Sequence, residues 1–269
     1  MRRQILSILF VIVWMCGNLA HANPVQPTVD AEAAVLLVAS NHKVLFEKKA
    51  YDIMYPASTT KIMTLITALE KGKPTTIVTV SSKAAECEGS SLDLKAGDKM
   101  ILRDAMYGMM MVSGNDAAEA IAEHIAGSIP SFADMMNANA EKIGTKNTHF
   151  SNPHGLPDPY NHFTTAYDLA LITSYGMKNS EFAKIVSTRE YNVNFLSGKR
   201  HHVNNTNKFL KAYLGATGVK TGYTDDAGEC LVASAKRKDV ELIAVILKSE
   251  YRVEDASKLL DYGFQQLGL

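Results

Sequence analysis

The sequence predicts a mixed α/β fold, an antiparallel sheet flanked by helices, with a helical lobe inserted into it. Three observations carry that reading. Apolar runs Ala33 to Ala39 and Val44 to Lys49 flank a polar turn at Asn41-His42, as a β-hairpin does. Two further apolar runs, Leu231 to Ala235 and Leu242 to Leu247, flank a charged turn at Lys236 to Asp239. Between the pairs, most of the chain carries helical spacing, so the order reads β-β, many helices, then β-β-β-α.

The elements follow in order. After Pro56, the residues Ile62, Leu65, Ile66 and Leu69 recur at helical spacing until Gly72 stops them, and Ser58 opens that helix. Leu102 to Met111 reads as a second helix, whose Met106, Met109, Met110 and Met111 suit core filling. Ser113-Gly114-Asn115 interrupts it before a helix over Ala117 to Ala126. Residues 147–160 read as loop, with Pro153, Gly155, Pro157 and Pro159, and Thr164 to Tyr175 as helix. Arg189, Tyr191, Val193 and Phe195 alternate as an exposed strand. Lys220-Thr221-Gly222 leads into the final strand pair and so forms one wall of a cleft. A last helix, Val253 to Leu267, packs back on the sheet.

Composition excludes some classes. The chain has 269 residues with 28 basic and 28 acidic side chains, enough for a large core but with no basic excess for nucleic acid. Arg2 and Arg3, the apolar run Ile5 to Met15 and the small residues at Ala20-His21-Ala22 have the layout of a signal peptide over residues 1–22. An exported chain over residues 23–269, a single catalytic domain, is the expectation. Cys87 and Cys230 are read as free thiols, Cys230 in a buried strand. The histidines form no metal motif, His201-His202 reads as an exposed polar pair, and no cofactor is expected.

Three short motifs narrow the chemistry: Ser58-Thr59-Thr60-Lys61, Ser113-Gly114-Asn115 and Lys220-Thr221-Gly222. A Ser-x-x-Lys occurs about once by chance in a chain this long, and Ser40-Asn41-His42-Lys43 in the hairpin turn is such a decoy. Alone, Ser58 would be an ordinary helix N-cap. The two tripeptides each arise in roughly one such chain in twenty, so the ordered triplet by chance is well below about one per cent. Together they supply a nucleophile, a base one turn away on the same helix face, a proton relay and a cationic clamp. That is the equipment of a serine acyltransferase acting on an amide.

The motifs and their surroundings resemble the serine-type D-alanyl-D-alanine carboxypeptidases, the low-molecular-mass penicillin-binding proteins. The resemblance covers nearly all of residues 30–265. It takes in Pro56-Ala57 before Ser58, Gly89-Ser90-Ser91-Leu92, Asp116-Ala117 after Asn115, Asn152-Pro153-His154-Gly155-Leu156, Asn205-Thr206-Asn207 and Tyr223-Thr224 after Gly222. It implies the DD-peptidase/β-lactamase-like fold and removal of the terminal D-Ala from peptidoglycan stem peptides. It implies Ser58 as nucleophile, Lys61 as base with its pKa lowered by Lys220 and burial, and Ser113 as relay. Asn115 would hold the substrate amide or Lys61, and Lys220 and Thr221 the substrate carboxylate. Gly222 would let the substrate backbone approach, and the N–H groups of Ser58 and Tyr223 would form an oxyanion hole. Arg252 matches a family arginine near the carboxylate end, and an ordinary helix-start charge serves equally well as its reading. β-Lactams are the implied covalent inhibitors.

The chain stops at Leu269, so the C-terminal β-rich domain and terminal amphipathic membrane helix of larger family members are not expected. Single-domain DD-endopeptidases that cut crosslinks carry the same motifs, and that alternative stays open. A serine β-lactamase would need a deacylating acid. The nearest match to its loop, Glu190-Tyr191-Asn192-Val193-Asn194, lies in the strand-like run, where Glu190 faces solvent. A binding protein with a dead site is disfavoured by the intact triplet.

Overall fold

The computed structural model describes residues 25–269; the expected leader over residues 1–22 lies outside them. Strands β1 (Ala33–Val38) and β2 (Val44–Lys48) make the expected hairpin. β1 is apolar without alternation because both its faces are covered. Ala33, Val35 and Leu37 enter one core, and Ala34, Leu36 and Val38 the other.

A 3₁₀ turn, Ala57–Thr60, then leads into α1 (Lys61–Lys71), which Gly72 ends as the spacing predicts. Ser58 therefore lies in a tighter turn than an α-helix. Residues three apart eclipse in a 3₁₀ turn, which sets Lys61 directly over Ser58. All of Lys61 to Ala68 is buried, so α1 is the axis of the molecule rather than a surface helix.

The inserted lobe follows: β3 (Ile77–Thr79), α2 (Ser82–Ala85), β4 (Lys99–Ile101), α3 (Leu102–Met111), α4 (Asn115–Ala126) and α5 (Ile129–Ile143). The α3 methionines are buried filler, as expected. α4 starts two residues earlier than its apolar spacing suggested, because Asn115 and Asp116 occupy its first turn. Next come α6 (Ala166–Met177), α7 (Ser180–Ser187), β5 (Glu190–Asn194), β6 (Arg200–Asn204) and α8 (Phe209–Ala212). The strand read at Arg189 to Phe195 is thus half of a small hairpin with β6. Its partner, Arg200-His201-His202-Val203-Asn204, holds one apolar residue and gave no strand signal.

The chain returns to the sheet with β7 (Ala216–Thr224), β8 (Gly228–Arg237) and β9 (Val240–Leu247), then ends on α9 (Arg252–Gln266). The order is β2-β1-β9-β8-β7, antiparallel throughout. β9 pairs with β1, so the two ends of the sequence close one sheet around the insertion. α9 covers one face with Leu259, Leu260 and Phe264, while the insertion covers the other. β7 is an edge strand and runs against the 3₁₀ turn. Among the described residues, no helix is long and apolar enough to cross a membrane.

Candidate active site

The three motifs come from three separate elements: the 3₁₀ turn and head of α1, the α3–α4 turn, and edge strand β7. Their centre is the amine of Lys61, whose residue is 0% exposed. Its Nζ lies 3.0 Å from Ser58 Oγ, 2.6 Å from Asn115 Oδ1 and 3.0 Å from the backbone oxygen of His154. The asymmetry of these partners matters. The Asn115 and His154 oxygens can only accept, so both N–H bonds of a neutral amine go to them. The remaining lone pair faces the Ser58 hydroxyl, the arrangement a general base needs. Burial, and then the nearby Lys220, push the Lys61 pKa well below the ordinary lysine value, which favours that neutral form.

Asn115 is fixed from both sides. Its Nδ2 donates to the Glu88 oxygen at 2.6 Å and its backbone N–H to the Ser90 oxygen at 2.7 Å. Asp116, in the next position, gathers the 91–94 loop by accepting from Ser91 Oγ and from the backbone N–H groups of Leu92 and Leu94. Ser113 is buried with φ +63°, a left-handed conformation unusual for serine. Its hydroxyl makes no hydrogen bond among the described residues, unlike those of most buried serines in the chain. The relay role expected of it rests on the motif.

On β7, Lys220 is buried and its Nζ donates to the Thr221 oxygen at 2.8 Å. Burial, then the nearby Arg252, push its pKa down to about 7. Thr221 is half-buried and Tyr223 exposed beside it. Gly222 is also a packing position. A Cβ there would sit 3.0 Å from the Ser58 N, 3.1 Å from Ala57 Cβ and 3.1 Å from the Pro56 oxygen. The missing side chain admits the turn that carries Ser58, packed backbone to backbone against the strand. Arg252 is not an idle helix-start charge. Its guanidinium donates to the Gly222 and Cys230 oxygens at 2.9 and 3.2 Å and pairs with Glu229 at 3.3 Å, holding β7 to β8 at the cleft.

The largest omission of the sequence reading is the loop at residues 151–156. The sequence marks it as loop and as part of the family resemblance but gives it no role, yet it supplies the His154 oxygen to Lys61. Thr64 Oγ1 on α1 donates to the Pro153 oxygen at 2.6 Å, while buried His162, which accepts from the Ser151 N–H at 3.2 Å, bonds Thr60 Oγ1 at 2.8 Å, so α1 and the turn before it hold the loop at two points. Burial takes His162 down to about 3, which keeps it neutral. Gly155 then presses on the turn that carries Ser58, for a Cβ there would lie 1.8 Å from the Ala57 oxygen. Glu190, the residue weighed as a deacylating acid, lies on the exposed hairpin and faces His202 at 4.0 Å. Cys87 and Cys230 are free thiols, the latter buried in β8 as expected.

The comparisons with known proteins agree with this geometry. The family described as D-alanyl-D-alanine carboxypeptidase, peptidase S11, matches residues 20–250. The chain is 38% identical over 245 residues to D-alanyl-D-alanine carboxypeptidase DacF of Bacillus subtilis, covering 88% of this chain and 63% of that one. It thus spans somewhat under two thirds of that relative. It is 32% identical over 288 residues to the D-alanyl-D-alanine carboxypeptidase of Streptomyces sp. strain K15, covering 98% and 99% of the two chains. The solved Streptomyces K15 DD-transpeptidase superposes with a TM-score of 0.85 at 33% identity, over 90% of this chain and 100% of that one. A D-alanyl-D-alanine carboxypeptidase structure from Mycobacterium tuberculosis also gives 0.85, at 28% identity over 91% and 95%. The fold is therefore that of the DD-peptidases, and the chain belongs to the D-alanyl-D-alanine carboxypeptidase family, peptidase family S11.

Proposed function

We propose that the protein is an exported serine D-Ala-D-Ala carboxypeptidase that trims peptidoglycan stem peptides in the wall space outside the cytoplasm. The observation that carries this reading is the buried Lys61 amine with two obligate acceptors and Ser58 at 3.0 Å. The Ser58 oxygen attacks the carbonyl of the penultimate D-Ala while its proton passes to Lys61. The backbone N–H groups of Ser58 and Tyr223 take the oxyanion. Collapse breaks the amide bond; Ser113 hands the proton to the leaving amine, and terminal D-Ala departs. Water then hydrolyses the Ser58 ester with Lys61 again as base. Lys220 and Thr221 bind the free carboxylate, while Arg252 braces their strand and adds positive charge.

The test is D-alanine release from a diacetyl-L-Lys-D-Ala-D-Ala peptide, with Ser58→Ala as control. Release that depends on Ser58 supports the carboxypeptidase. Covalent penicillin labelling without release would move the assignment to an endopeptidase that cuts crosslinks or to a transpeptidase. No labelling of the folded wild type would remove the enzyme reading altogether. Glu190 lies exposed on the β5–β6 hairpin, facing His202, and is not placed to activate water against a penicilloyl-Ser58 ester. β-Lactams should therefore inhibit stoichiometrically, and rapid turnover of a chromogenic cephalosporin would contradict this.

The same site sets a pH profile. Lys61 must be neutral, and its lowered pKa places the acid limb of kcat/KM below the ordinary lysine range. Lys220 must carry its proton to hold a carboxylate, and its pKa lies at about 7, so activity falls as pH rises through that value. Lys220→Arg, which stays protonated, is expected to lose the alkaline limb even if its overall rate drops. An alkaline limb unchanged in Lys220→Arg would assign it to another group.

A further inference from the structure

Beside the Lys61 site, the fold assembles a second cluster from three segments that share no sequence motif. Cys87 follows α2, Glu119 lies on α4 and His154 on the 151–156 loop. One ligand-type atom from each (a thiol sulfur, a carboxylate oxygen and a ring nitrogen) lies within 4.8 Å of the others. They sit on the wall of a cavity of about 540 Å³, whose lining also includes Lys83, Glu86, Glu88 and Leu156. Glu119 is only 8% exposed, and its Oε1 pairs with His154 Nε2 at 3.3 Å. Its Oε2 is buried with no hydrogen-bond partner, an arrangement that costs about 1–3 kcal/mol unless something occupies the place of that partner. Nothing in the acyl-transfer chemistry uses Cys87 or Glu119.

We infer that Cys87, Glu119 and His154 form a binding site for a zinc-class divalent cation, with its open position toward the cavity and its back against the loop that holds Lys61. The donor set is the argument. Thiolate, imidazole and carboxylate together suit a borderline-soft ion that accepts three protein ligands and a water, and do not suit calcium or magnesium. Ligand distances of about 2.0–2.3 Å require the three groups to close by up to roughly an ångström, which the half-exposed Cys87 segment can supply. Glu119 Oε2 then gains its missing partner. Of the charged groups lining the cavity, exposed Lys83, Glu86 and Glu88 and buried Glu119, three are carboxylates and one is a cation, a balance that favours a bound cation.

The proton balance follows from the metal-free geometry. The Leu156 N–H donates to His154 Nδ1 at 3.2 Å, so the ring proton sits on Nε2 and points at Glu119. A ring that gives Nε2 to a cation carries its proton on Nδ1 instead, and Leu156 N–H must move away. A thiol is largely protonated at neutral pH, so Cys87 enters the site with its proton. Binding therefore releases the thiol proton to solvent, moves the imidazole proton from Nε2 to Nδ1, and leaves the carboxylate unchanged. Because the His154 oxygen accepts from Lys61 Nζ, the shift of residues 154–156 loosens the base from its hydroxyl. The bound ion is thus a brake on acylation.

The experiment uses the chelator-treated full chain with zinc alone, by calorimetry, and with cobalt alone, by absorption spectroscopy. One ion per chain, a thiolate-to-cobalt charge-transfer band and release of a proton are expected. Cys87→Ser and Glu119→Gln should each weaken binding by roughly 10–100-fold, while Cys230→Ser and the double change of the surface pair, His201→Ala with His202→Ala, should not. The Leu156 amide resonance should shift on zinc addition in the wild type only. Zinc should slow acylation by fluorescent penicillin in the wild type and not in Cys87→Ser, whose metal-free rate should equal that of the wild type. A folded wild type that takes up no zinc, or uptake that survives both Cys87→Ser and Glu119→Gln, overturns the proposal. The binding readouts hold whatever peptide the enzyme prefers, so their failure is distinct from failure of the carboxypeptidase reading.

Discussion

Lys61→Met is expected to lose acylation by penicillin and D-Ala release by about 10⁴-fold or more, yet remain folded. A base acting in concert with its nucleophile is worth that much, because the serine hydroxyl alone is a poor nucleophile at neutral pH. Methionine nearly matches lysine in length and is at home in a fully buried helix position. The change should also show in stability against pH. Lys61 and Lys220 have lowered pKa values in the folded state. At these two residues the unfolded chain therefore binds more protons than the native one from the folded values up to about 10.4, a contribution to stability that rises with pH across that window. For Lys220 the window opens at about 7. Lys61→Met removes one of the two contributions, so the melting temperature of the wild type minus that of the variant should grow from pH 7 toward pH 10. A variant that keeps measurable acylation, or a difference that stays constant with pH, would show that Lys61 is not the buried, proton-losing base described above.

Gly155→Ala is expected to cost both stability and activity. The residue has φ +90°, and its added Cβ would meet the Ala57 oxygen at 1.8 Å and Thr60 Oγ1 at 2.9 Å. The first obstacle is backbone and cannot rotate away, so either the loop lifts or the turn carrying Ser58 shifts. Left-handed strain and overpacking together come to about 2–4 kcal/mol. Either movement separates the His154 oxygen from Lys61 or Lys61 from Ser58. A misplacement of about an ångström costs on the order of 10²-fold in rate. Gly97→Ala is the matched control, with φ +86° and nothing within 4 Å of the new Cβ. It should incur the conformational cost, about 1 kcal/mol, and keep full acylation. Equal behaviour of the two variants, read by thermal melting and penicillin labelling, would show that backbone strain and not contact with the nucleophile's turn is what Gly155 avoids.

Much of the molecule was legible because its signals are local. The β1–β2 hairpin, α1 with its Gly72 stop, α3 and the β8–β9 pair each follow from apolar periodicity and turn residues within a dozen positions. Signals available for α5 and α7 went unread. Ser128 and Asn179 cap them by accepting N-terminal backbone N–H groups, with Pro130 in the first turn of α5. β3 and β4, three residues each, carry no periodicity that a pattern could register.

The catalytic chemistry read from Ser58, Lys61, Ser113, Asn115 and Lys220 was set by side-chain type, and side-chain type is written in the sequence. It supplies candidates for nucleophile, base, relay and clamp, and the family they resemble. The groups it missed act through backbone or through proximity. Every residue has a carbonyl, so nothing in the sequence marks that of His154 as the second acceptor for Lys61. That role depends on how Thr64, Thr60 and His162 pin one loop against α1. Gly222 and Gly155 were visible as glycines, but only the packed structure decides what would fill their missing side chains. Cys87, Glu119 and His154 stand far apart along the chain and meet because α4 and two loops converge on one cavity. Local sequence determines which chemistry the chain carries; long-range packing determines which of its ordinary groups are brought to bear on it.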